Sequence, residues 1–369
     1  MQNNLQSIEK EADEVLFEIK NSVGFITLNR PEALNALSLN MIKLMDEKLA
    51  AWGNDPDISA VVVQGAGGRS FCSGGDVKVV ALDIKASREG ASDGQLYKDF
   101  FRAEYILNHR IFNFPKPYIS IIDGIVMGGG KGVSAHGSHR VVTENALFAM
   151  PETNIGFFPD VGGSYFLPRC PGEMGTYLAM TSKRIKAADT LYIGFGTHFV
   201  PHMGIELLLE NLVTADWNRS DPMSIANTIL ANFNSSPEEA GELASKQTDI
   251  DRHFGHDRVE DIISSLKQDD SEWAKETLKE MGRMSPTSLK LTLAQLRRGR
   301  EIDDFGDIMT MEYRLSQACM AGHEFYEGAR AALIDKDRTP KWEPASVEEV
   351  SDEVIKGYFN SLGDNDLLF

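Results

Sequence analysis

The chain predicts an α/β core followed by a helical region, on three observations. Short β-branched apolar runs alternate with helical patterns through the first half. Strand signals fade from about residue 220, and amphipathic stretches fill the remainder. The expected division is residues 1–215 for the α/β core and 216–369 for the helical C-terminal region. Alternation of this kind implies a largely parallel sheet covered by helices.

Val15-Leu16-Phe17-Glu18-Ile19 and Val23-Gly24-Phe25-Ile26-Thr27-Leu28 read as paired strands around the turn-prone Lys20-Asn21-Ser22. From Ser38 to Trp52, the residues Met41, Leu44, Met45, Leu49 and Trp52 fall at helical spacing, and Asn54-Asp55-Pro56 stops the helix. Ala60 to Gly65 and Tyr118 to Ile122 read as buried strands. Residues 81–97, polar and rich in Gly and Ser, read as a mobile surface insertion. Helical periodicity recurs at 225–233, 258–267, 271–281 and 308–335, and Ser285-Pro286-Thr287 caps a further helix.

Composition narrows the function. With 37 basic and 55 acidic residues the formal net charge is −18, which argues against non-specific binding of nucleic acid. No apolar run reaches the roughly 20 residues that span a bilayer. Three cysteines, Cys72, Cys170 and Cys319, lie far apart without zinc-ligand spacing, so neither a disulfide framework nor a structural metal is suggested. The acidic start MQNNLQSIEKEADE lacks the pattern of a signal peptide or presequence. The expected compartment is cytoplasmic for a bacterial source, or the mitochondrial matrix where a leader has been removed. A homo-oligomer is compatible with everything above.

Two glycine clusters each follow a strand: Phe71-Cys72-Ser73-Gly74-Gly75-Asp76 and Gly128-Gly129-Gly130-Lys131-Gly132. Glycine lets a ligand approach main-chain N–H groups, and a loop that opens a helix favours developing negative charge. Two such loops converging on one oxygen would form an oxyanion hole; the bland alternative is a pair of tight turns. A P-loop fails, because Ile125 stands where its first glycine belongs and Gly132 where Ser or Thr belongs. A dinucleotide fingerprint fails at Val133. Glu152 and Asp160 lie eight residues apart in an apolar segment rich in Gly and Pro. Burial and mutual repulsion would raise at least one pKa and suit acid/base work; helix or turn capping is the alternative, most obviously for Asp160 ahead of Gly162-Gly163. Cys72 as a nucleophile, and the pairs His136/His139 and His198/His202 as metal ligands, are weaker candidates than buried or surface roles.

These motifs, with Asp123 to Gly130, Pro151-Glu152 and Phe325-Tyr326-Glu327-Gly328-Ala329-Arg330-Ala331, resemble the crotonase (enoyl-CoA hydratase/isomerase) superfamily. The finer resemblance is to 3-hydroxyisobutyryl-CoA hydrolases, through Met150 to Pro168, Met311 to Cys319 and Asp335-Lys336-Asp337, and it covers the chain from about residue 14. It implies the ClpP/crotonase-like fold, repeated ββα units in a spiral with a helical C-terminal region. It also implies an acyl-CoA substrate, with coenzyme A entering as part of that substrate and no metal or redox cofactor. By the resemblance, the N–H groups of Gly75 and Gly129 hold the thioester oxygen, Glu152 and Asp160 are catalytic, Glu104 binds substrate and Ser73 lies beside the adenine. The implied reaction is hydrolysis of 3-hydroxyisobutyryl-CoA, an intermediate of valine breakdown. The alternatives are an enoyl-CoA hydratase/isomerase and a catalytically silent binding protein of the same fold. Hydratases of the superfamily carry a second catalytic Glu two residues after the glycine triplet, where this chain has Gly132, and Gly where it has Asp160. Asp123 replaces the Asn or His expected before Gly124 and has no functional reading from sequence.

Overall fold

A computed structural model describes residues 13–369; the reading of the first twelve residues lies outside it. Strands β1 (Val15–Lys20) and β2 (Val23–Leu28) form an antiparallel hairpin, with Asn21 at φ +53° in its turn. Helix α1 (Leu39–Asn54) follows, its first turn capped by the Ser38 hydroxyl, which accepts from the Met41 N–H at 3.1 Å. Its buried stripe, Met41, Ile42, Met45, Leu49 and Trp52, joins the main core.

The chain then alternates between two sheets. β3 (Ala60–Gly65), β5 (Tyr118–Ile122), β7 (His139–Val142) and β10 (His198–Phe199) extend the hairpin in parallel, in the order β1-β2-β3-β5-β7-β10. β4 (Ser70–Cys72), β6 (Ile125–Met127), β8 (Leu147–Ala149) and β9 (Ile185–Lys186) form a second sheet in the order β4-β6-β8-β9. The single parallel sheet expected from sequence is therefore two. The strands of the second sheet are two or three residues long, too short to show a period. This pairing of one strand from each sheet before a helix is the ββα repeat.

Helices α2 (Val77–Arg88), α3 (Gln95–Phe112) and α4 (Gly129–Gly132) follow the strands of the first repeats. The expected surface insertion at 81–97 is corrected here. Residues 81–88 belong to α2, with Ala81 and Ile84 in the core, and only 89–94 form a loop before α3. Polar composition misled because both helices show a polar face to solvent.

Helices α5 (Gly163–Phe166), α6 (Met174–Thr181), α7 (Ala187–Tyr192) and α8 (Ile205–Thr214) complete the part that contains the strands. Beyond them come α9 (Pro222–Phe233), α10 (Leu243–Phe254), α11 (Val259–Lys267), α12 (Glu272–Met281), α13 (Pro286–Gly299), α14 (Phe305–Ala321), α15 (Glu324–Ala329) and α16 (Asp352–Tyr358). Ser285 caps α13 as read from sequence, but the helical stretch 308–335 breaks at Gly322-His323 into α14, α15 and a π-turn over 330–334. Residues of α13 to α16 share the core of the first repeats, so the helical region closes over the α/β layers.

One contact of that closure reaches the candidate site. α15 packs on the 3-10 turn Glu152–Ile155 through two glycines, Gly156 (φ +70°) and Gly328. A Cβ at Gly328 would overlap the backbone carbonyl of Ile155, and one at Gly156 the carbonyl of Glu324. Neither obstacle is a side chain that can swing away. Gly328→Ala is therefore expected to destabilise the protein by about 1–3 kcal/mol in urea unfolding, as overpacking does. An exposed control, Gly357→Ala, has open space around the added carbon and should lack that effect.

Candidate active site

The first glycine turn is held by the segment 30–37. The Leu37 N–H donates to the Gly74 carbonyl at 2.8 Å, the Ser73 N–H to Leu34 at 3.0 Å and the Asp76 N–H to Leu37 at 2.9 Å. Asn35, buried in left-handed conformation at φ +56°, ties that segment to β4 by donating to the Ser70 carbonyl at 2.8 Å. Arg30 bridges to Asp76 at 3.1 Å. Positive φ is required at Gly74 (+117°) and Gly128 (+47°), the residue before each proposed donor, rather than at Gly75 and Gly129. Those two need glycine for space. A Cβ at Gly129 would lie 2.9 Å from the Gly75 nitrogen and 2.6 Å from Glu104 Oε1, and one at Gly75 would lie 2.9 Å from the Phe100 ring. The two turns thus meet, and neither the Gly75 nor the Gly129 N–H has an acceptor among the described residues.

Three of the carboxylates singled out from sequence converge on this junction. Glu104 sits on α3, Glu152 opens the 3-10 turn after β8, and Asp160 lies in the loop that follows. All three are buried, at 2%, 5% and 5% exposure, so each must be bonded, protonated or facing a ligand. Glu152 Oε1 lies 2.8 Å from where a Cβ would stand on Gly128, beside the second turn. Glu104 Oε1 and Glu152 Oε2 have no hydrogen-bond partner among the described residues. Asp160 accepts from the Tyr105 hydroxyl at 2.8 Å. Burial first, then neighbouring carboxylates, push Glu104 and Glu152 well above the usual carboxylate range. The same burial, with Glu312 next, raises Asp160 to about 8.

Ser73 stands half-exposed at the mouth of the first turn, its hydroxyl donating to the Ala33 carbonyl at 3.4 Å. Cys72 lies buried beneath that turn, and burial pushes its thiol up to about 12, which removes the thiolate a nucleophile needs. His136 bonds the Val161 carbonyl, while His139 bonds Asn227 and Ser138. Among the described residues no three His, Cys, Asp or Glu side chains are grouped to hold a metal ion. Asp123 accepts from Thr143 at 2.6 Å and Asn145 at 2.9 Å and pairs with His202 at 2.8 Å, so it ties β5 to the chain around β7 and β10.

The capping reading of Asp160 is corrected. The N–H groups of Gly162 and Ser164 are capped at 2.8 Å each by Glu312 from α14, a residue with no role assigned from sequence. Asp160 contributes only its backbone carbonyl, to the Gly163 N–H at 2.8 Å. Gln295 on α13 holds the preceding residue by donating to the Pro159 carbonyl at 2.8 Å. Asn108, one turn after Glu104, is also new: it is fully buried and both its polar atoms lack partners. Its Nδ2 and the Val161 Cβ each lie 2.8 Å from where a Cβ on Gly132 would stand. A glutamate at 132 has no room unless both move. Glu312 fell inside a segment already tied to a family, which was the one available signal; Asn108 carried none.

The chain's sequence matches the enoyl-CoA hydratase/isomerase family over residues 23–359. It is 46% identical over 370 residues to the 3-hydroxyisobutyryl-CoA hydrolase, mitochondrial, of Rattus norvegicus, covering all of this chain and 94% of that protein. Against the Homo sapiens protein of the same name, identity is 46% over 362 residues, covering 97% and 91%. In structure it is similar to a carnitinyl-CoA dehydratase from Mycobacterium thermoresistibile, with TM-score 0.88 and 40% identity over 97% of this chain and 99% of that one. An enoyl-CoA hydratase from Rhodobacter sphaeroides 2.4.1 aligns with TM-score 0.86 and 36% identity, over 96% and 100%.

Glu312 offers a test of how the Asp160 loop is held. Glu312→Ala strands two buried N–H groups and should cost about 3 kcal/mol in urea unfolding. Glu312→Gln keeps one acceptor oxygen and should cost distinctly less. Equal, small losses would mean that the loop holds itself.

Proposed function

The chain belongs to the enoyl-CoA hydratase/isomerase family, and within it we propose that it hydrolyses the thioester of 3-hydroxyisobutyryl-CoA to 3-hydroxyisobutyrate and coenzyme A. The observation that carries this reading is the closed space at Gly132 beside an open pair of N–H donors. Hydration of a double bond needs two carboxylates, one to activate water and one to supply the α-proton. Asn108 and Val161 leave no room at 132 for the second one that the hydratase pattern requires. Hydrolysis needs an oxyanion hole and one carboxylate, because a thiolate leaves readily. The names of the similar proteins divide between hydrolase and hydratase or dehydratase; the packing around Gly132 favours the first.

In the proposed mechanism the Gly75 and Gly129 N–H groups donate to the thioester oxygen and stabilise the negative charge that develops on it. Glu152, with one oxygen unpartnered, either attacks the carbonyl to give an anhydride or takes a proton from an attacking water. The C–S bond breaks in either case; on the anhydride route water then cleaves the acyl–Glu152 bond and frees the carboxylate of Glu152, and on both routes the water supplies the proton that ends on the thiolate. Asp160, oriented by Tyr105, and Glu104 receive the acyl end and accept from its 3-hydroxyl. Water and these protein groups suffice for the proposed step, and coenzyme A takes part only as the leaving half of the substrate. Ser73, at the mouth of the first turn, is suited to contact the adenine. No described helix is long and apolar enough to cross a membrane, and the mitochondrial names of the relatives support the matrix alternative.

The direct test is thiol release from a panel of acyl-CoA thioesters, with crotonyl-CoA hydration measured beside it. Rapid release from the 3-hydroxyisobutyryl thioester with little hydration is expected; hydration without release would move the chain to the hydratases. Glu152→Gln should lower turnover at least about 100-fold in a protein that still folds.

Substrate choice gives a second test. A pocket built to bond a hydroxyl rejects the analogue lacking it, since its acceptor is then left buried and unpaired. The ratio of kcat/KM for 3-hydroxyisobutyryl-CoA over isobutyryl-CoA should be large, and Asp160→Ala or Glu104→Ala should shrink it. A wild-type ratio near one would leave a general acyl-CoA thioesterase.

A further inference from the structure

The proposed mechanism does not use Lys131, although it is the most deeply buried cation near the site. It sits inside α4, the helix opened by the second oxyanion turn, with no exposed surface. Its ammonium donates to the Val161 carbonyl at 2.9 Å and lies 5.5 Å from the centre of the Phe166 ring. Val161 is strained: a β-branched residue at φ +50°, immediately after Asp160. Its carbonyl is also bonded by His136 at 2.7 Å, so two ring-and-chain donors pin one unfavourable peptide. Burial, then Lys131, hold His136 well below its ordinary value, so it is neutral and bonds through the ring N–H.

The surroundings are acidic. Glu312 from α14, Asp160 from the loop, Glu152 from the 3-10 turn and the Cys170 thiol act on Lys131 directly, and Asp160 in turn acts on Glu104 and Tyr105 of α3. Arg140 acts on His136. Three buried carboxyl groups therefore act on this buried ammonium, and a fourth, Glu104, is coupled to them. Among the described residues no carboxylate lies within 4.0 Å of the Lys131 ammonium, whose bonded partner is the Val161 carbonyl, so its charge acts on the surrounding carboxyl groups at longer range, where low dielectric keeps that action strong.

We propose that Lys131 is a positioning residue for the hydrolytic site: it holds the Val161–Gly162 peptide, next to Asp160, in place and supplies the positive charge that lets Glu152 and Asp160 ionise among buried groups. This rests on the reading of Glu152 as base or nucleophile. Burial lowers Lys131 to about 8 and raises Asp160 to about 8.

Lys131→Met removes the charge and the hydrogen bond; Lys131→Gln removes the charge but keeps a donor. Losing an opposite charge at this range should raise the acid limb of kcat/KM by about one pH unit or more in both variants. The Gln variant should retain more of the turnover at the pH optimum. A purely structural lysine would instead lower the rate by one factor at every pH, and an unmoved acid limb in a folded variant overturns the proposal.

Thermal unfolding between pH 7 and 9 is the arm that needs no substrate. Asp160 stabilises the fold while protonated and withdraws that contribution as pH rises from its ordinary 3.8 towards about 8. Lys131, lowered from 10.5 to about 8, returns stability as pH rises above about 8. Without it the carboxyl groups keep their protons to higher pH and nothing offsets them, so Tm should fall more steeply across this window in both variants. Parallel curves overturn the proposal. If the wild type releases no thiol from any acyl-CoA, the proposed reaction is what fails, and the unfolding arm still decides the role of Lys131 in the charge balance.

Discussion

The closeness of two main-chain turns, Gly74–Gly75 and Gly128–Gly129, sets the terms for the rest of the structure. A Cβ on Gly129 would come within 2.9 Å of the Gly75 nitrogen, so the turns meet where no side chain fits between them. Holding two turns from different repeats this near requires the second sheet, whose adjacent strands β4 and β6 lead into them. It also requires the brace of Leu34, Asn35 and Leu37, because an N–H that must stay free for a ligand cannot help to hold its own loop.

Buried carboxyl groups ring that space, and they conflict with one another. Glu104, Glu152, Asp160 and Glu312 lie in a region from which water is largely excluded, where like charges repel strongly. Only Glu312 is fully committed, to the N–H groups of Gly162 and Ser164. The others keep unpaired oxygens or a single phenol partner, the condition expected of groups that meet a ligand rather than serve the fold. The helical region matters to the site for the same reason. α14 supplies Glu312, α13 supplies Gln295, and α15 presses on the turn that carries Glu152, so the carboxyl cluster beside the short strands is closed from outside the sheets.

Much of the architecture was legible. The strands at 15–20, 23–28, 60–65 and 118–122 follow their β-branched runs, and α1 and α13 start at the Ser38 and Ser285 caps. What escaped was short or two-faced. Three-residue strands carry no periodicity, and α2 looked like a loop because its buried residues are few beside its exposed Lys and Arg. Helix α10 gave no signal strong enough to be read.

The sequence by itself determined which residue types stand at the site: glycines where turns must be tight, lone acids in apolar company at 152 and 160, and glycine rather than glutamate at 132. Those choices are local, and local chemistry exposes them. Tertiary structure alone decided that Glu104 and Glu312, roughly two hundred positions apart along the chain, belong to one charge cluster with Lys131 as its cation. It also decided that Asn108 fills the space a hydratase would need and that Glu312, not Asp160, caps the loop. Desolvation and Coulomb energy depend on distances in space and on the water displaced between groups, and neither can be read from spacing along a chain.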